Sequence, residues 1–335
     1  MQRQLLITTE RKTDNSKVQY IIVLINGGVY ESSIYGNTGF SVPALEKIAD
    51  KHEVVAVVTQ QDRPKGRGHK MQFTPVKEKA VELNIPVYQP EKVKNPEFVQ
   101  VLKELKPDVI VVIAFGQILS KEILDLPKYG CINVHASLLP EYRGAAPIQW
   151  AVIDGKKESG VTTMYMAEGL DTGDIIDKKI VELDKKETGG SLFDKLAITG
   201  GSLILETLEK LENNTALTTP QDDDKSTYAG KITKELGHID FTKSAEEIER
   251  LIRGLNPWPS AFTYLDEKVL KIWDADVIDE EVAEEPGTII STNKTLKVAT
   301  ADGYLDIKEL QLQGKKRMDV VSFLNGYKIN STKLG

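Results

Sequence analysis

Residues 107 to 140 read PDVIVVIAFGQILSKEILDLPKYGCINVHASLLP, with two short apolar runs separated by a more polar connection. The runs cover residues 109–113 and, more weakly, 132–134, and a third run of the same composition covers residues 54–58. Nearly continuous runs of valine and isoleucine are typical of parallel strands that are covered on both faces. The three runs therefore predict strands of an open, mostly parallel sheet.

Helical patterns separate these predicted strands. They cover residues 44–51, 75–83 and 98–105, and the second begins with proline, a favoured residue of the first helical turn. A longer helix is predicted over residues 191–211, although two adjacent glycines weaken that pattern. Strands that alternate with helices imply right-handed crossovers. The fold class is therefore α/β, with a doubly wound, Rossmann-like sheet.

The pattern changes after residue 212. Residues 213–230 are polar, which is typical of a linker between domains. A helix predicted over residues 245–251 is followed by short runs separated by turn signals, as in a small barrel. We therefore expect four parts: an atypical N-terminal segment in which residues 17–25 could form a strand (1–35), a catalytic α/β domain (36–212), a linker (213–230) and an OB-like β-barrel domain (231–335).

The composition is that of an ordinary globular protein. With 335 residues, of which 40% are hydrophobic and 28% charged, the chain is long enough for two domains. Its one cysteine, Cys131, excludes an intramolecular disulfide. The sequence has neither an apolar run near the roughly 20 residues that span a bilayer nor the pattern of a secretory signal. We expect a cytoplasmic protein with no membrane partner.

The net charge of −7 argues weakly against a nucleic-acid partner. Two local clusters of basic residues, however, depart from this acidic total. One cluster occupies a glycine-punctuated loop at residues 61–70, and the other lies at residues 315–317. Lysine and arginine at this density suit contacts with phosphates. A solvated surface loop explains the first cluster equally well.

A pair of polar residues lies at the end of the strand predicted at residues 132–134. Asn133 and His135 point the same way on an extended chain, because side chains alternate with period two. In open α/β sheets, ligands bind beyond the carboxyl ends of the strands. An amide that can stabilise an oxyanion and an imidazole that can move a proton suit acyl transfer. On spacing alone, a hydrogen-bonded strand-end histidine and a turn asparagine remain the more ordinary explanation.

A second candidate is Asp171, which lies between Gly169 and Gly173 in a loop after an apolar run at residues 161–166. A carboxylate there could orient and charge-stabilise a histidine. Considered alone, the aspartate is better explained as a turn former.

Several common motifs are missing from the sequence. It contains no Walker loop, no G-x-G-x-x-G and no G-x-S-x-G. Its four histidines and one cysteine are widely spaced and form no metal-ligand pattern. These absences exclude the obvious kinase, dehydrogenase and metalloenzyme interpretations.

Residues 131–150, CINVHASLLPEYRGAAPIQW, resemble the signature of the folate-dependent formyltransferases, and the likeness runs from about residue 36 to residue 329. The resemblance implies formyl transfer from N10-formyltetrahydrofolate without a metal, with Asn133, His135 and Asp171 as the catalytic trio. It also implies a folate site lined by two segments: Ser137, Leu138, Leu139 and Pro140, and Phe115, Gly116, Gln117, Ile118 and Leu119.

Within this family, three features favour the branch that formylates methionyl-initiator tRNA at translation initiation. The loop at residues 62–70 resembles an insertion that enters the acceptor end of the tRNA, and Arg67 matches a critical arginine of that insertion. Residues 231–235, KITKE, resemble the interdomain motif of this branch. Residues 253–259, RGLNPWP, resemble the start of its C-terminal OB-like barrel, where residues 314–318, GKKRM, also match. The resemblance implies a monomer whose tRNA-binding residues are Arg63, Lys65, Arg67, Lys70, Lys231, Lys234, Lys315, Lys316 and Arg317.

Two alternatives stay open. One is a formyltransferase that acts on a sugar nucleotide or a purine precursor. The other is a catalytically impaired tRNA-binding homologue, which the N-terminus supports. The family's first turn reads GTPEF, whereas residues 36–40 here read GNTGF. An altered first strand and turn would loosen the floor of the site.

Overall fold

The structure is a computed structural model, and it describes residues 19–23, 39–65, 70–114 and 118–335. Of residues 19–23, 63–65 and 70–72 only the backbone is described. The N-terminal part contains ten strands: β1 (Gln19–Val23), β2 (Glu53–Val58), β3 (Arg63–Lys65), β4 (Lys70–Gln72), β5 (Val87–Tyr88), β6 (Val109–Ile113), β7 (Cys131–His135), β8 (Arg143–Gly144), β9 (Glu158–Tyr165) and β10 (Ile175–Glu182). Its helices are α1 (Val42–Lys51), α2 (Pro75–Glu82), α3 (Pro96–Leu105), α4 (Lys121–Leu124), α5 (Pro147–Ile153) and α6 (Gly189–Glu212).

A seven-stranded sheet organises this part, in the order β10-β9-β7-β6-β1-β2-β5. The strands from β5 to β7 are parallel, whereas β9 runs antiparallel to both β7 and β10. Helices α1 and α6 cover one face of the sheet, and α3 and α4 cover the other, each over its own apolar cluster. The predicted doubly wound α/β sheet is therefore confirmed, and the predicted strands and helices match the observed ones to within three residues at each end.

The first strand lies in the segment 1–35, which the sequence analysis set apart from the catalytic domain. Strand β1 falls inside the possible strand at residues 17–25, and it pairs with both β2 and β6 at the centre of the sheet. Part of the segment 1–35 therefore belongs to the α/β sheet, because β2 and β6 need a strand between them. Residues 36–38 of the altered turn lie outside the described residues.

Helix α6 is continuous through its two adjacent glycines. A Cβ added at Gly200 would lie 3.1 Å from Cγ1 of Val134, and one added at Gly201 would lie 2.9 Å from the carbonyl carbon of Pro43. The glycines that weakened the helical pattern therefore let α6 approach β7 and the start of α1 closely.

The C-terminal part contains the short strand β11 (Tyr228–Ala229), an antiparallel sheet and two helices. The sheet has the order β12-β13-β16-β15-β14, with β17 paired to β16, and it curls into a half-barrel, which confirms the OB-like prediction. The elements are α7 (Ala245–Gly254), β12 (Ala261–Leu265), β13 (Lys268–Ile278), β14 (Ile289–Ser291), β15 (Leu296–Ala299), β16 (Tyr304–Leu312), β17 (Met318–Asp319) and α8 (Val320–Gly326).

The polar segment 213–230 lies along the α/β domain. Thr219 and Ile175 exchange two backbone hydrogen bonds of 2.9 Å, and β11 pairs in parallel with β8. Helix α7 packs against α5 of the first domain and β13 of the second. The two domains are thus joined by packed contacts as well as by the segment. Among the described residues, no helix is long and apolar enough to cross a membrane.

Candidate active site

The predicted catalytic pair lies at the carboxyl end of β7. Asn133 and His135 point to one face of this strand, whereas Ile132 and Val134 point into the core beneath α1 and α6. The two polar side chains are 8% and 7% exposed, so they reach solvent only at the strand end. The structure therefore places the pair where ligands bind in open α/β sheets.

Asp171 comes from the loop between β9 and β10 and meets both residues. Its Oδ1 lies 3.4 Å from Nδ2 of Asn133, which donates to it, and 3.7 Å from Nδ1 of His135. Its Oδ2 accepts a 2.9 Å hydrogen bond from the backbone N–H of Gly144 in β8. The structure thus brings the amide, imidazole and carboxylate of the predicted trio together.

The hydrogen bonds of His135 fix the roles of its two ring nitrogens. Nε2 lies 2.9 Å from the backbone carbonyl oxygen of Tyr142. A carbonyl oxygen can only accept, so Nε2 carries a proton and donates it to this bond. Nδ1 is therefore the nitrogen that faces Asp171, and only an imidazolium can donate on both sides.

The loop that carries Asp171 has an unusual backbone. Asp171 has a φ of +53°, in the left-handed region that side chains other than glycine rarely adopt. A Cβ added at Gly173 would lie 1.8 Å from the carbonyl oxygen of Tyr165, so only glycine fits there. The spacing of Gly169, Asp171 and Gly173 thus reflects a tight turn that presents the candidate aspartate.

The segment predicted to line the folate site forms a rigid turn. Ser137 is 1% exposed and donates 2.6 Å to the backbone oxygen of Glu141, and Leu139 is 0% exposed. The backbone oxygen of Ser137 accepts from the hydroxyl of Thr162 at 2.7 Å, and Oγ1 of that threonine accepts from the Leu139 N–H at 3.1 Å. The buried side chains brace the turn, so the surface that it offers to a ligand is mostly backbone, with the partly exposed Leu138 and Pro140.

The other predicted wall is described only in part. Ile118 is exposed and Leu119 is buried in the core beneath α3 and α4, whereas Phe115, Gly116 and Gln117 lie outside the described residues. The polar groups beside this wall fit a formyl donor, because the amide N–H of Asn133 can polarise a carbonyl oxygen and the carboxylate of Asp171 can orient the imidazole. Among the described residues, no group of three or more His, Cys, Asp or Glu side chains could hold a metal.

Two further titratable groups beside the trio stay neutral. Burial raises the pKa of the Cys131 thiol to about 12, so the sulfur is not a nucleophile at neutral pH. Burial, and then the hydrogen bond that its hydroxyl donates to Asp154 at 2.8 Å, raise the pKa of Tyr142. His135 and Asp171 are therefore the remaining candidates for proton transfer at this site.

The predicted tRNA-binding residues occupy two places. Arg63, Lys65 and Lys70 lie on the β3–β4 hairpin, whose loop contains Arg67 and is outside the described residues. The remaining five are exposed in the C-terminal part of the chain: Lys231, Lys234, Lys315, Lys316 and Arg317.

An aromatic side chain that sequence reasoning missed lies between two of the basic segments. Cζ of Arg317 lies 4.7 Å, and Nζ of Lys271 5.7 Å, from the centre of the Trp273 ring. Burial, and then the positive charge of Lys234, lower the pKa of Lys271. These contacts place the segments 231–235 and 314–318 on one surface. In the sequence, Lys271 and Trp273 are two residues apart, a spacing that places both side chains on one face of a strand.

Sequence reasoning also missed residues that hold Asp171. Gly144 donates its N–H to the carboxylate, and Gln221, in the segment 213–230, donates 2.8 Å hydrogen bonds to the backbone oxygens of Asp171 and Gly173. Gln221 carried no signal in the sequence, because a single glutamine in a polar stretch looks like a solvated linker residue.

The comparisons with known families match both domains. Residues 34–208 match the family described as formyl transferase, and residues 231–328 match the formyl transferase C-terminal domain. The chain therefore belongs to the formyl transferase family of enzymes, as the signature at residues 131–150 predicted.

Similar chains within this family carry a more specific name. The methionyl-tRNA formyltransferase of Agathobacter rectalis is 57% identical over 293 residues, which cover 87% of this chain and 94% of that protein. The methionyl-tRNA formyltransferase of Clostridioides difficile is 52% identical over 298 residues, or 88% and 96% of the two chains. At this level of identity over nearly full length, the chain groups with the methionyl-tRNA formyltransferases.

Solved structures share the fold at lower identity. WlaRD, a sugar 3N-formyl transferase crystallised in the presence of dTDP and 5-N-formyl-THF, superposes with a TM-score of 0.62 at 21% identity, over 90% of this chain and 99% of that one. The N-formyltransferase of Helicobacter canadensis, in complex with folinic acid and dTDP-3-aminofucose, gives a TM-score of 0.61 at 21% identity, over 90% and 100%.

Proposed function

We propose that this chain transfers the formyl group of N10-formyltetrahydrofolate to the α-amino group of methionyl-initiator tRNA, for the initiation of translation. The observation that carries the proposal is the meeting of Asn133, His135 and Asp171 at the carboxyl end of β7. The names and the high identity of the relatives support tRNA as the acceptor, in preference to a sugar nucleotide or a purine precursor.

The proposed reaction is a direct attack through a tetrahedral intermediate. The α-amino group, whose reference pKa is about 8, is partly neutral at cellular pH and can attack the formyl carbon. The Nδ2–H of Asn133 would donate to the developing oxyanion, and one such donor is typically worth about 3 to 4 kcal/mol. The new C–N bond forms first, and the intermediate then collapses with cleavage of the bond from the formyl carbon to N10.

Proton movement in this scheme belongs to His135. The proton lost by the attacking amine must reach N10 so that tetrahydrofolate can leave. Asp171 orients His135 through Nδ1, which leaves the imidazole held between a carboxylate and the Tyr142 carbonyl. The buried, protonated Cys131 supports a mechanism with no covalent enzyme intermediate.

For the formyl donor, we propose the pocket between two segments at the ends of β6 and β7. One consists of Ser137, Leu138, Leu139 and Pro140, and the other of Phe115, Gly116, Gln117, Ile118 and Leu119. The rigid turn at Ser137–Pro140 would offer backbone groups to the folate ring, since its Ser137 and Leu139 side chains are buried.

For the tRNA, we propose two contact regions on either side of the site. The β3–β4 hairpin, with Arg63, Lys65, Arg67 and Lys70, would approach the acceptor end. The exposed basic residues of the C-terminal part, from Lys231 to Arg317, would bind backbone phosphates.

We further propose that the protein acts as a cytoplasmic monomer. The proposed domain boundaries lie near residues 36, 213 and 231, except that β1 also belongs to the α/β domain. Sedimentation equilibrium with and without tRNA would test the monomer, and a stable dimer in both states would contradict it.

The decisive experiment measures formyl transfer from N10-formyltetrahydrofolate to methionyl-initiator tRNA, with methionyl-elongator tRNA as the matched control. Transfer to the initiator alone supports the proposal. If neither is formylated, the triple change Asn37→Thr, Thr38→Pro and Gly39→Glu restores the family's first turn. Activity gained by that variant would indicate a site impaired by its N-terminus, whereas continued inactivity with both tRNAs would overturn the proposed acceptor.

A further inference from the structure

We propose that Gln221 is a positioning residue for Asp171, and that the segment 213–230 holds the catalytic loop in its working conformation. The inference rests on the proposed function for its activity test, but its structural part can be tested separately. It assigns a role in the catalytic domain to a segment that composition alone marks as a linker.

The side chain of Gln221 uses its hydrogen-bonding groups on both ends. Its Nε2 donates 2.8 Å hydrogen bonds to the backbone oxygens of Asp171 and Gly173. Its Oε1 accepts from Nε and from an Nη of Arg143, at 3.0 and 2.8 Å. The orientation of the amide is unambiguous, because backbone carbonyls only accept and a guanidinium only donates.

This amide holds a backbone that would otherwise prefer another conformation. Asp171 has a φ of +53°, and the two carbonyls that Gln221 binds flank the tight turn at Thr172. A non-glycine residue in the left-handed region is strained, and such a conformation persists only when its surroundings fix it. Gln221 therefore sets the direction in which the Asp171 side chain leaves the loop.

The carboxylate end of Asp171 is held by the same segment through a second route. Gly144 donates its N–H to Oδ2, and Gly144 belongs to β8, which pairs with β11. The N–H of Arg143 donates 2.9 Å to the oxygen of Thr227, and Nη2 of Arg143 pairs with Asp223 at 2.7 Å. The segment 213–230 thus fixes both the backbone and the carboxylate of Asp171.

Two substitutions separate this role from simple packing. Gln221→Ala removes both donors, and Gln221→Glu keeps the size and the bonds to Arg143 but places a carboxylate oxygen against two carbonyl oxygens. The matched control is Asp224→Asn, an exposed residue of the same segment whose side chain makes none of these contacts. We expect both Gln221 variants to lower kcat by about tenfold or more, because a misplaced catalytic group has effects of this size.

The split between kinetic constants and a double-mutant cycle tests the mechanism of the effect. KM for the formyl donor and for the tRNA should stay within about twofold of the wild type, since Gln221 links the catalytic loop to Arg143 and Met164, which are not among the residues proposed to bind folate or tRNA. In an Asp171→Ala background, Gln221→Ala should lower kcat by less than about twofold further, because its target is gone. An equal loss in both backgrounds, or unchanged kcat in Gln221→Ala, would overturn the inference.

Hydrogen exchange gives a readout that does not depend on the acceptor. Amides of residues 169–175 should exchange faster in Gln221→Ala than in the wild type and in Asp224→Asn, with the rest of β9 and β10 unchanged. If neither the wild type nor the variant with the restored first turn formylates tRNA, the proposed function fails, and this measurement alone decides the inference. Unchanged exchange in residues 169–175 would overturn it.

Discussion

The backbone N–H of Gly144 donates a 2.9 Å hydrogen bond to Oδ2 of Asp171, while Oδ1 of the same carboxylate faces Asn133 and His135. Oδ2 of Asp171 therefore fixes the carboxylate to β8, and Oδ1 contacts the two polar residues of β7. The three proposed catalytic residues are therefore held together by a contact from β8 as well as by their position at the end of β7.

Replacing Asn133, His135 or Asp171 by alanine should lower turnover by about a hundredfold or more, because each change removes an oxyanion donor, a proton carrier or its orienting group. Steady-state formylation assays measure the loss, and thermal unfolding checks that the fold is retained. Asn293→Ala, at an exposed asparagine in the β14–β15 turn, is the matched control. Near-normal turnover in one of the three variants would remove that residue from the trio.

The adjacent glycines of α6 should respond differently to alanine. Gly201→Ala should lower the free energy of unfolding by about 1 to 2 kcal/mol, because its Cβ would lie 2.9 Å from the backbone of Pro43 and the cost of overpacking exceeds the gain in helix propensity. Gly200→Ala should change stability by less than about 0.5 kcal/mol, since a 3.1 Å contact with the Val134 side chain can relax. Urea unfolding of both variants measures the difference. Equal effects at the two positions would contradict the proposed close approach at Pro43.

Lys271→Met should raise the free energy of unfolding at pH 7.5. Burial, and then Lys234, lower the pKa of Lys271 from its usual 10.5, so the folded state binds this proton less tightly than the unfolded state. The resulting cost is fully present below the folded pKa and disappears as the pH rises through the unfolded value. The stabilisation should therefore shrink as the pH approaches 11.

Denaturant unfolding at several pH values measures this trend, with the exposed Lys294→Met as the control. A gain that is the same at pH 7.5 and near pH 11 would assign the effect to packing and not to charge. In the proposed tRNA complex, a phosphate would offset the same cost, so Lys271→Met should also weaken tRNA binding.

The basic clusters should act on the tRNA and not on the formyl donor. Arg67→Ala should raise KM for methionyl-initiator tRNA about tenfold or more while folate binding stays unchanged, since an arginine contact with nucleic acid is worth about 1 to 3 kcal/mol. Lys315→Ala and Lys316→Ala should each reduce the slope of log affinity against log salt by about one. Lys94→Ala, at an exposed residue of the α/β domain, should leave the slope as it is. A formylation rate that does not depend on salt would argue against phosphate contacts.

Local patterns were enough to predict most of the fold. The apolar runs at β2, β6 and β7 and the periodic helices α1, α3 and α6 signal buried strands and amphipathic helices within a few residues of chain. The place of β1 in the sheet was not predicted, although residues 17–25 were a possible strand, because its partners β2 and β6 are far away in sequence and residues 36–40 depart from the family pattern.

Some residues of the candidate site could likewise be predicted from the sequence, and others could not. Asn133 and His135 are two residues apart, so their shared direction follows from the geometry of a strand. Asp171 was identified from the motif that it shares with the family. The contacts of Gln221 and Gly144 were not predicted, because the Gln221 amide binds backbone oxygens and Gly144 donates its backbone N–H. Backbone groups are the same at every position, so no residue type reports such contacts.

The sequence by itself determined the α/β sheet, because buried strands and amphipathic helices follow from short-range periodicity. The family and the three candidate catalytic residues were identified from the resemblance of its motifs to the formyltransferases. Only the tertiary structure decided which groups hold Asp171 in place, and that the polar segment 213–230 lies against the catalytic loop. The physical reason is that a hydrogen bond needs two groups within about 3 Å and at the right angle. For residues far apart in the chain, only the packing of the whole domain sets that distance.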